Sequence, residues 1–213
     1  RTPFIPSNKI DREKRCDEIL TIQAMGLKKR LAHTHCQSAV VGISGGLDST
    51  LAVLVTARAF DMLKIPRENI VCVTMPCFGT TDRTYSNAVT LTKKLGASLR
   101  EIRINKAVEQ HFSDIGHDPE IHNVTYENSQ ARERTQILMD IANQTNGMVI
   151  GTGDMSELAL GWATYNGDHM SMYAVNCSVP KTLVRHLVRY YADTSEEQEL
   201  KEVLLDILDT PVS

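Results

Sequence analysis

Apolar residues near the start of the chain recur at three- and four-residue spacing. Cys16, Leu20, Ala24, Leu27 and Leu31 fall on one stripe, which predicts a long amphipathic helix from about Asn8 to His35 covering a sheet. The period then changes. Ala39 to Ile43, Ile70 to Met75 and Met148 to Ile150 are short, continuous apolar runs, as expected of strands buried on both faces. Helical runs separate them: Leu51 to Leu63, stopped by Pro66; residues 84 to 95, stopped by Gly96; Asn105 to about Phe112; and Tyr126 to Asn143 with Ile137, Leu138, Ile141 and Ala142 inward. Ser98 to Ile104 alternates Leu99, Glu101 and Arg103 against Ile102 and Ile104, the pattern of an edge strand with one exposed face. Strand, helix and strand repeat along the chain. The expected fold class is α/β: a doubly wound, mostly parallel, Rossmann-like sheet with helices on both faces.

Composition narrows the class without naming a function. At 213 residues and 42% apolar content the chain is long enough for one α/β domain with a buried core. A formal net charge of −3 gives no sign of a nucleic-acid partner, and no apolar run approaches a membrane span. The five cysteines, Cys16, Cys36, Cys72, Cys77 and Cys177, are scattered and include no Cys-x-x-Cys pair. A reduced, cytoplasmic protein is expected, with Cys72 and Cys177 packed as small hydrophobes. Arg1 to Ser7, carrying Pro3 and Pro6, reads as a linker, leaving residues 8–213 as the domain.

The chemistry gathers at the ends of the apolar runs. Ser44-Gly45-Gly46-Leu47-Asp48-Ser49 joins the first strand to the next helix through a turn whose glycines leave backbone amides free to converge on an anion. Asp48 sets a carboxylate beside that anion, which is repulsive unless a divalent cation lies between; magnesium is the natural candidate. No Gly-Lys-Ser/Thr follows, so this is not a Walker loop. A second small-residue turn, Gly151-Thr152-Gly153-Asp154-Met155-Ser156-Glu157, follows the strand at Met148 to Ile150. Asp48 and Glu157 are expected to share one magnesium, with Thr152 offering a hydroxyl to a nucleotide. For one of Asp154 and Glu157 the favourable charge at a helix start is expected to be the whole explanation. Asn176-Cys177-Ser178-Val179-Pro180-Lys181 puts a lysine at the positive end of a helix, better explained by a phosphate ligand than by helix stability. Arg132 and Arg134 point about 200° apart on a helix, so at most one enters the site squarely; the alternative is surface pairing with Glu127 or Glu133. His111, Asp114, His117, Asp118 and His122 have metal-ligand types without ligand spacing, and a structural or solvated loop is expected there.

Ser44-Gly-Gly-Leu-Asp-Ser49 resembles the signature of the N-type ATP pyrophosphatases, the PP-loop enzymes. Met75-Pro-Cys-Phe-Gly-Thr-Thr81, Gly151-Thr-Gly-Asp-Met-Ser-Glu157 and Ser178-Val-Pro-Lys181 follow in an order similar to that of the NAD synthetases, across nearly the whole chain. The wording from Gly151 to Trp162 and the long first helix are similar to the synthetase domain of the glutamine-dependent branch. That resemblance implies adenylation of the nicotinate carboxylate of deamido-NAD by ATP, then amidation by ammonia to NAD, AMP and pyrophosphate. It implies Ser44, Gly45, Gly46, Asp48, Ser49, Thr152 and Lys181 at ATP, with Asp48 and Lys181 catalytic and Asp48 and Glu157 on magnesium. Arg132, Tyr165 and Asp168 are implied at deamido-NAD. It further implies a homodimer, an amidase domain supplying ammonia in the full-length protein, and a closing segment beyond Ser213. The rivals are an amidating ligase of the GMP synthetase type and a non-catalytic ATP-binding module.

Overall fold

The computed structural model describes residues 5–78 and 81–210. Arg1 to Phe4 of the expected linker, Gly79 and Thr80 of the Met75 to Thr81 motif, and residues 211–213 lie outside the described residues.

Asn8 opens the first helix, α1 (Lys9–Thr34), by accepting a hydrogen bond from the Ile10 amide at 2.9 Å, and His35 closes it in the left-handed conformation. The expected stripe is its buried face, with Gln23 as one polar member. Strand β1 (Ser38–Gly42) follows, then α2 (Leu47–Leu63), apolar almost all round and buried almost throughout. A 3-10 turn leads into β2 (Ile70–Thr74), α3 (Asp82–Lys94) and β3 (Ser98–Glu101). Next come α4 (Asn105–Ile115), α5 (Val124–Thr145), β4 (Gly147–Gly151) and the short α6 (Met155–Leu160). Strand β5 (Tyr173–Ala174) and helices α7 (Lys181–Thr194) and α8 (Gln198–Asp209) complete the chain.

The five strands are all parallel, in the order β3-β2-β1-β4-β5. Successive residues of β1 supply opposite faces, as the pleat requires. Ala39 and Val41 pack into a large core with α1, α2, α3, α7 and α8, whereas Val40 meets Ile141 and Ala142 of α5. Tyr126, Phe112, Val108 and Cys77 extend that second face. The edge position expected for residues 98–104 is observed. Its regular part ends at Glu101, but Ile102 still donates to the Thr74 carbonyl at 2.9 Å.

Helix ends differ from expectation by a few residues, for local reasons. Helix α2 begins at Leu47 because Gly46 can serve as its cap. Helix α4 runs on to Ile115 because Gly116, at φ 67°, supplies the left-handed stop. Cys72 is buried as expected, but Cys177 is exposed: it lies on the turn between β5 and α7, where the chain rides over the sheet edge. Within the described residues no helix is long and apolar enough to cross a membrane.

The sheet order fixes where a ligand can sit. Connections from β1 run outward through β2 to β3, while β4 and β5 lie on β1's other side. The direction of winding therefore switches between β1 and β4, and the crevice at their carboxyl ends is where such sheets bind ligands.

Leu54 of α2 is fully buried in the larger core. Leu54→Ala is expected to destabilise the chain by about 2–5 kcal/mol, read as a lowered denaturant midpoint at unchanged slope.

Candidate active site

Two loops meet at that crevice. In the first, after β1, Gly45 takes φ 83°, and a β-carbon there would lie 2.2 Å from the Thr84 carbonyl oxygen of α3. Only glycine fits, on conformation and on space alike. Ser44 and Ser49 brace the turn from within. The Ser49 hydroxyl accepts from the Ser44 amide at 3.3 Å and donates to the Gly46 carbonyl at 3.2 Å, and the Gly46 amide donates to the Ser44 hydroxyl at 3.2 Å. Asp48 then sits in the first turn of α2 with its carboxylate 20% exposed.

The second loop, after β4, opens α6 with a reciprocal cap. The Glu157 amide donates to Asp154 Oδ1 at 2.9 Å, and the Asp154 amide donates to Glu157 Oε2 at 3.1 Å. Both acids serve the helix start, yet both also face a cation. Lys181, the first residue of α7, places Nζ 2.8 Å from Asp154 Oδ2 and 3.4 Å from Glu157 Oε1, and in contact with Asp48 Oδ2. Neither Asp154 nor Glu157 is thus explained by the helix dipole alone, contrary to expectation. Lys181 likewise needs no phosphate to account for its place, because three carboxylates surround it. Its backbone is fixed by a hydrogen bond from its amide to the Ser156 hydroxyl at 3.1 Å.

Asp48, Asp154 and Glu157 each offer a carboxylate oxygen within 4.8 Å of the others. The set carries three formal negative charges against one positive charge. Asp154 is fully buried, and its Oδ2 has an ion-pair distance to Lys181 without a hydrogen bond's angle; Asp48 Oδ1 is buried with no hydrogen-bond partner. Buried carboxylate oxygens left so are costly, and a hard divalent cation is the partner such a donor set accepts. The residues therefore fit magnesium.

Burial pushes the Asp48 carboxyl up to about 6 against the pull of Lys181, with Glu157 and Asp154 adding to the rise. At Asp154 burial acts in the same direction, but the Lys181 ammonium and the Glu157 amide outweigh it and hold the group below its ordinary value. Burial lowers Lys181, and the carboxylates of Asp154 and Asp48 more than reverse that, so the ammonium stays charged.

The remaining sequence-derived positions form a neighbouring group. Arg132 of α5 donates through Nε to the Tyr165 carbonyl at 3.3 Å, and the Thr164 amide donates to Asp168 Oδ1 at 2.6 Å. Tyr165 is 75% exposed and stacks on His169 with ring centroids 5.6 Å apart. Neither Arg132 nor Arg134 pairs with Glu127 or Glu133 among the described residues. In the histidine loop, the His117 ring meets the Ile121 carbonyl at 3.1 Å and His122 stacks on Tyr126 at 4.2 Å.

Sequence reasoning missed two participants. Asp154 was assigned no metal, although it stands at the point where a glycine turn meets a helix, as Asp48 does. Asn176 is the other: its Nδ2 donates to the backbone carbonyls of Asp48, at 2.9 Å, and Thr152, at 3.1 Å. A buried asparagine before a helix carries no sequence signal of that reach.

The NAD synthase family model matches residues 19–198. The chain belongs to the NAD synthase family. The glutamine-dependent NAD(+) synthetase of Mycobacterium leprae is 45% identical over 219 aligned positions, covering 100% of this chain and 32% of that protein. The NH(3)-dependent NAD(+) synthetase of Thermoplasma acidophilum is 37% identical over 132 positions, covering 62% of this chain and 52% of that protein. Among solved structures, a glutamine-dependent NAD+ synthetase from Acinetobacter baumannii, in complex with ADP, matches with a TM-score of 0.81 at 27% identity. That match covers 89% of this chain and 36% of the other. The chain spans about a third of the length of the curated glutamine-dependent relatives it matches. Within this NAD synthase domain the winding switch, the glycine loop and the three acids all lie inside the matched residues.

Asp48 binds its proton more tightly folded, at about 6, than at its ordinary 3.8. Without divalent ions its contribution to stability is therefore expected to fall as pH rises from about 4 to about 6, by at most about 3 kcal/mol at about 1.4 kcal/mol per unit. Thermal melts in chelator over that range check this: the slope seen in the parent chain should be absent in Asp48→Asn.

Proposed function

We propose that this chain is the synthetase portion of an NAD synthetase: an ATP-dependent carbon–nitrogen ligase that converts deamido-NAD and ammonia to NAD, AMP and pyrophosphate. The observation that carries the reading is one ammonium and three carboxylates gathered at the winding switch, beside a turn that only glycine can make at Gly45. The family membership and the printed activities of the relatives support it.

The nicotinate carboxylate attacks the α-phosphorus of ATP, and the bond from that phosphorus to the bridging oxygen breaks to release pyrophosphate. Ammonia then adds to the acyl carbon of the adenylate, loses a proton, and AMP departs. Amides of the Ser44 to Ser49 turn bind the pyrophosphate portion, and Gly45 and Gly46 leave room for its approach. The Thr152 hydroxyl contacts the nucleotide. Lys181 supplies a permanent positive charge to the phosphates in exchange for its carboxylate contacts. Arg132, Tyr165 and Asp168 hold deamido-NAD, with the Arg132 guanidinium on the Tyr165 carbonyl and the Tyr165 ring exposed. Magnesium, held by Asp48 and Glu157 with Asp154 in the same donor set, would neutralise phosphate charge. No protein nucleophile is required, since positioning and charge neutralisation supply the catalysis.

In the full-length protein we assign the ammonia supply to a glutamine-hydrolysing amidase domain, the assembly to a homodimer and the location to the cytoplasm. The reading draws on the glutamine-dependent relatives, three times this chain's length, and on five scattered cysteines with no Cys-x-x-Cys pair.

Release of AMP and pyrophosphate from magnesium-ATP tests the reaction, with deamido-NAD and ammonium in one arm and xanthylate or glutamine exchanged in the others. Turnover only with deamido-NAD and ammonium is expected. Turnover with xanthylate would move the chain to the GMP synthetase type, and ATP binding without pyrophosphate release would make it a nucleotide-binding module. Lys181→Met is expected to lower turnover by about 10²–10³-fold, and Asp48→Ala or Glu157→Ala to abolish magnesium-dependent turnover with the fold intact by circular dichroism.

A further inference from the structure

A fully buried amide lies between the loops that carry the three acids. The Nδ2 of Asn176 spends both hydrogens on backbone carbonyls, Asp48 of the first loop and Thr152 of the second. Its Oδ1 accepts from Gln23 Nε2 of α1 at 3.2 Å, and the same Gln23 nitrogen donates to the Val175 carbonyl at 2.7 Å. The backbone continues the link. The Asn176 carbonyl accepts from the Val179 amide at 2.9 Å, and the Val179 carbonyl accepts from the Met155 amide at 3.0 Å, two residues before the chain delivers Lys181. One side chain thus touches both acid-bearing loops and the first helix.

Three carboxylates on two separate loops repel one another, and a single lysine leaves the group two charges short of neutrality. A restraint that held the loops with another charge would alter that balance. A neutral amide does not. Its direction is also determined: turned end over end, Oδ1 would face two carbonyl oxygens, and Gln23 would have a donor facing a donor. Gln23 makes this contact at a cost to itself, since its Oε1 is buried with no partner among the described residues. An apolar side chain of similar length would suit the α1 stripe better unless the amide had a task.

We infer that Asn176 is a positioning residue for the cation site: it sets the separation of Asp48 from Asp154 and Glu157, and Gln23 fixes the Asn176 amide in the working direction. The inference rests on reading those three carboxylates as the cation site.

Manganese(II) serves as the probe, with free ion followed by electron paramagnetic resonance on the whole chain, and AMP release measured in parallel. Asn176→Leu is expected to weaken manganese binding tenfold or more. Gln23→Met, which removes the orphaned oxygen and leaves Asn176 in place, is expected to weaken it threefold or more, with kcat reduced and the KM for ammonium unchanged. Asn87→Leu is the control for loss of a buried amide elsewhere, since Asn87 donates to Asp206 at 2.7 Å between α3 and α8; its manganese affinity should equal the parent's. A folded Gln23→Met chain that binds manganese as the parent does overturns the inference alone, whether or not Asn176→Leu folds. A parent chain that takes up no manganese overturns the cation-site reading and this inference with it.

Discussion

Charge imbalance at the ends of β1 and β4 is the constraint on which the rest of the structure depends. Asp48, Asp154 and Glu157 converge on one ammonium; burial raises the Asp48 carboxyl against the pull of Lys181, whereas the same ammonium and the Glu157 amide hold the Asp154 carboxyl low. A buried ion group of this kind adds little net stability, because desolvation offsets much of its attraction. The scaffold must therefore hold it. Burial of α2 on nearly every side and the parallel register of β1 between β2 and β4 provide the rigidity. The alternation of Ala39, Val40 and Val41 between two cores locks that register, since a slip of one residue would exchange the faces.

The architecture was legible because its determinants are local and periodic. Apolar runs of strand length, helical stripes and glycine stops each act within a few residues, and they placed the strands, the long helices and the edge position of residues 98–104. Of α6 only the start, at Asp154 to Glu157, was read, because residues 155–160 are too short to show a period; β5 comprises two residues, and α8 was open to the same reading as α1 through its stripe of Leu200, Val203, Leu204, Ile207 and Leu208. Cys177 shows the same limit from the other side: its residue type favours burial, but only the path of the turn between β5 and α7 decides the matter.

At the site, the residues legible in the sequence were those whose backbone setting is unusual. Gly45 and Asp48 stand where a strand turns sharply into a helix, and Lys181 stands at a helix end that disfavours a cation. The physical reason expected for Lys181 was incomplete, because the acids that surround it come from positions 48, 154 and 157 and meet only through the sheet order. Asn176 and Gln23 were illegible for a related reason. Their value lies in where a neutral amide reaches, and no spacing or composition encodes that.

The approach of Thr84 to Gly45 bears on how such chains diverge. In a descendant that had lost its nucleotide, selection for contact with phosphate would end, yet the α3 carbonyl would still exclude a β-carbon at that place. The glycine would persist as a relic of packing. Asp48, half-buried and short of a counter-charge, would have no such protection and would drift. Among distant members, retention of the aspartate is therefore the better witness to a working enzyme than retention of the glycine beside it.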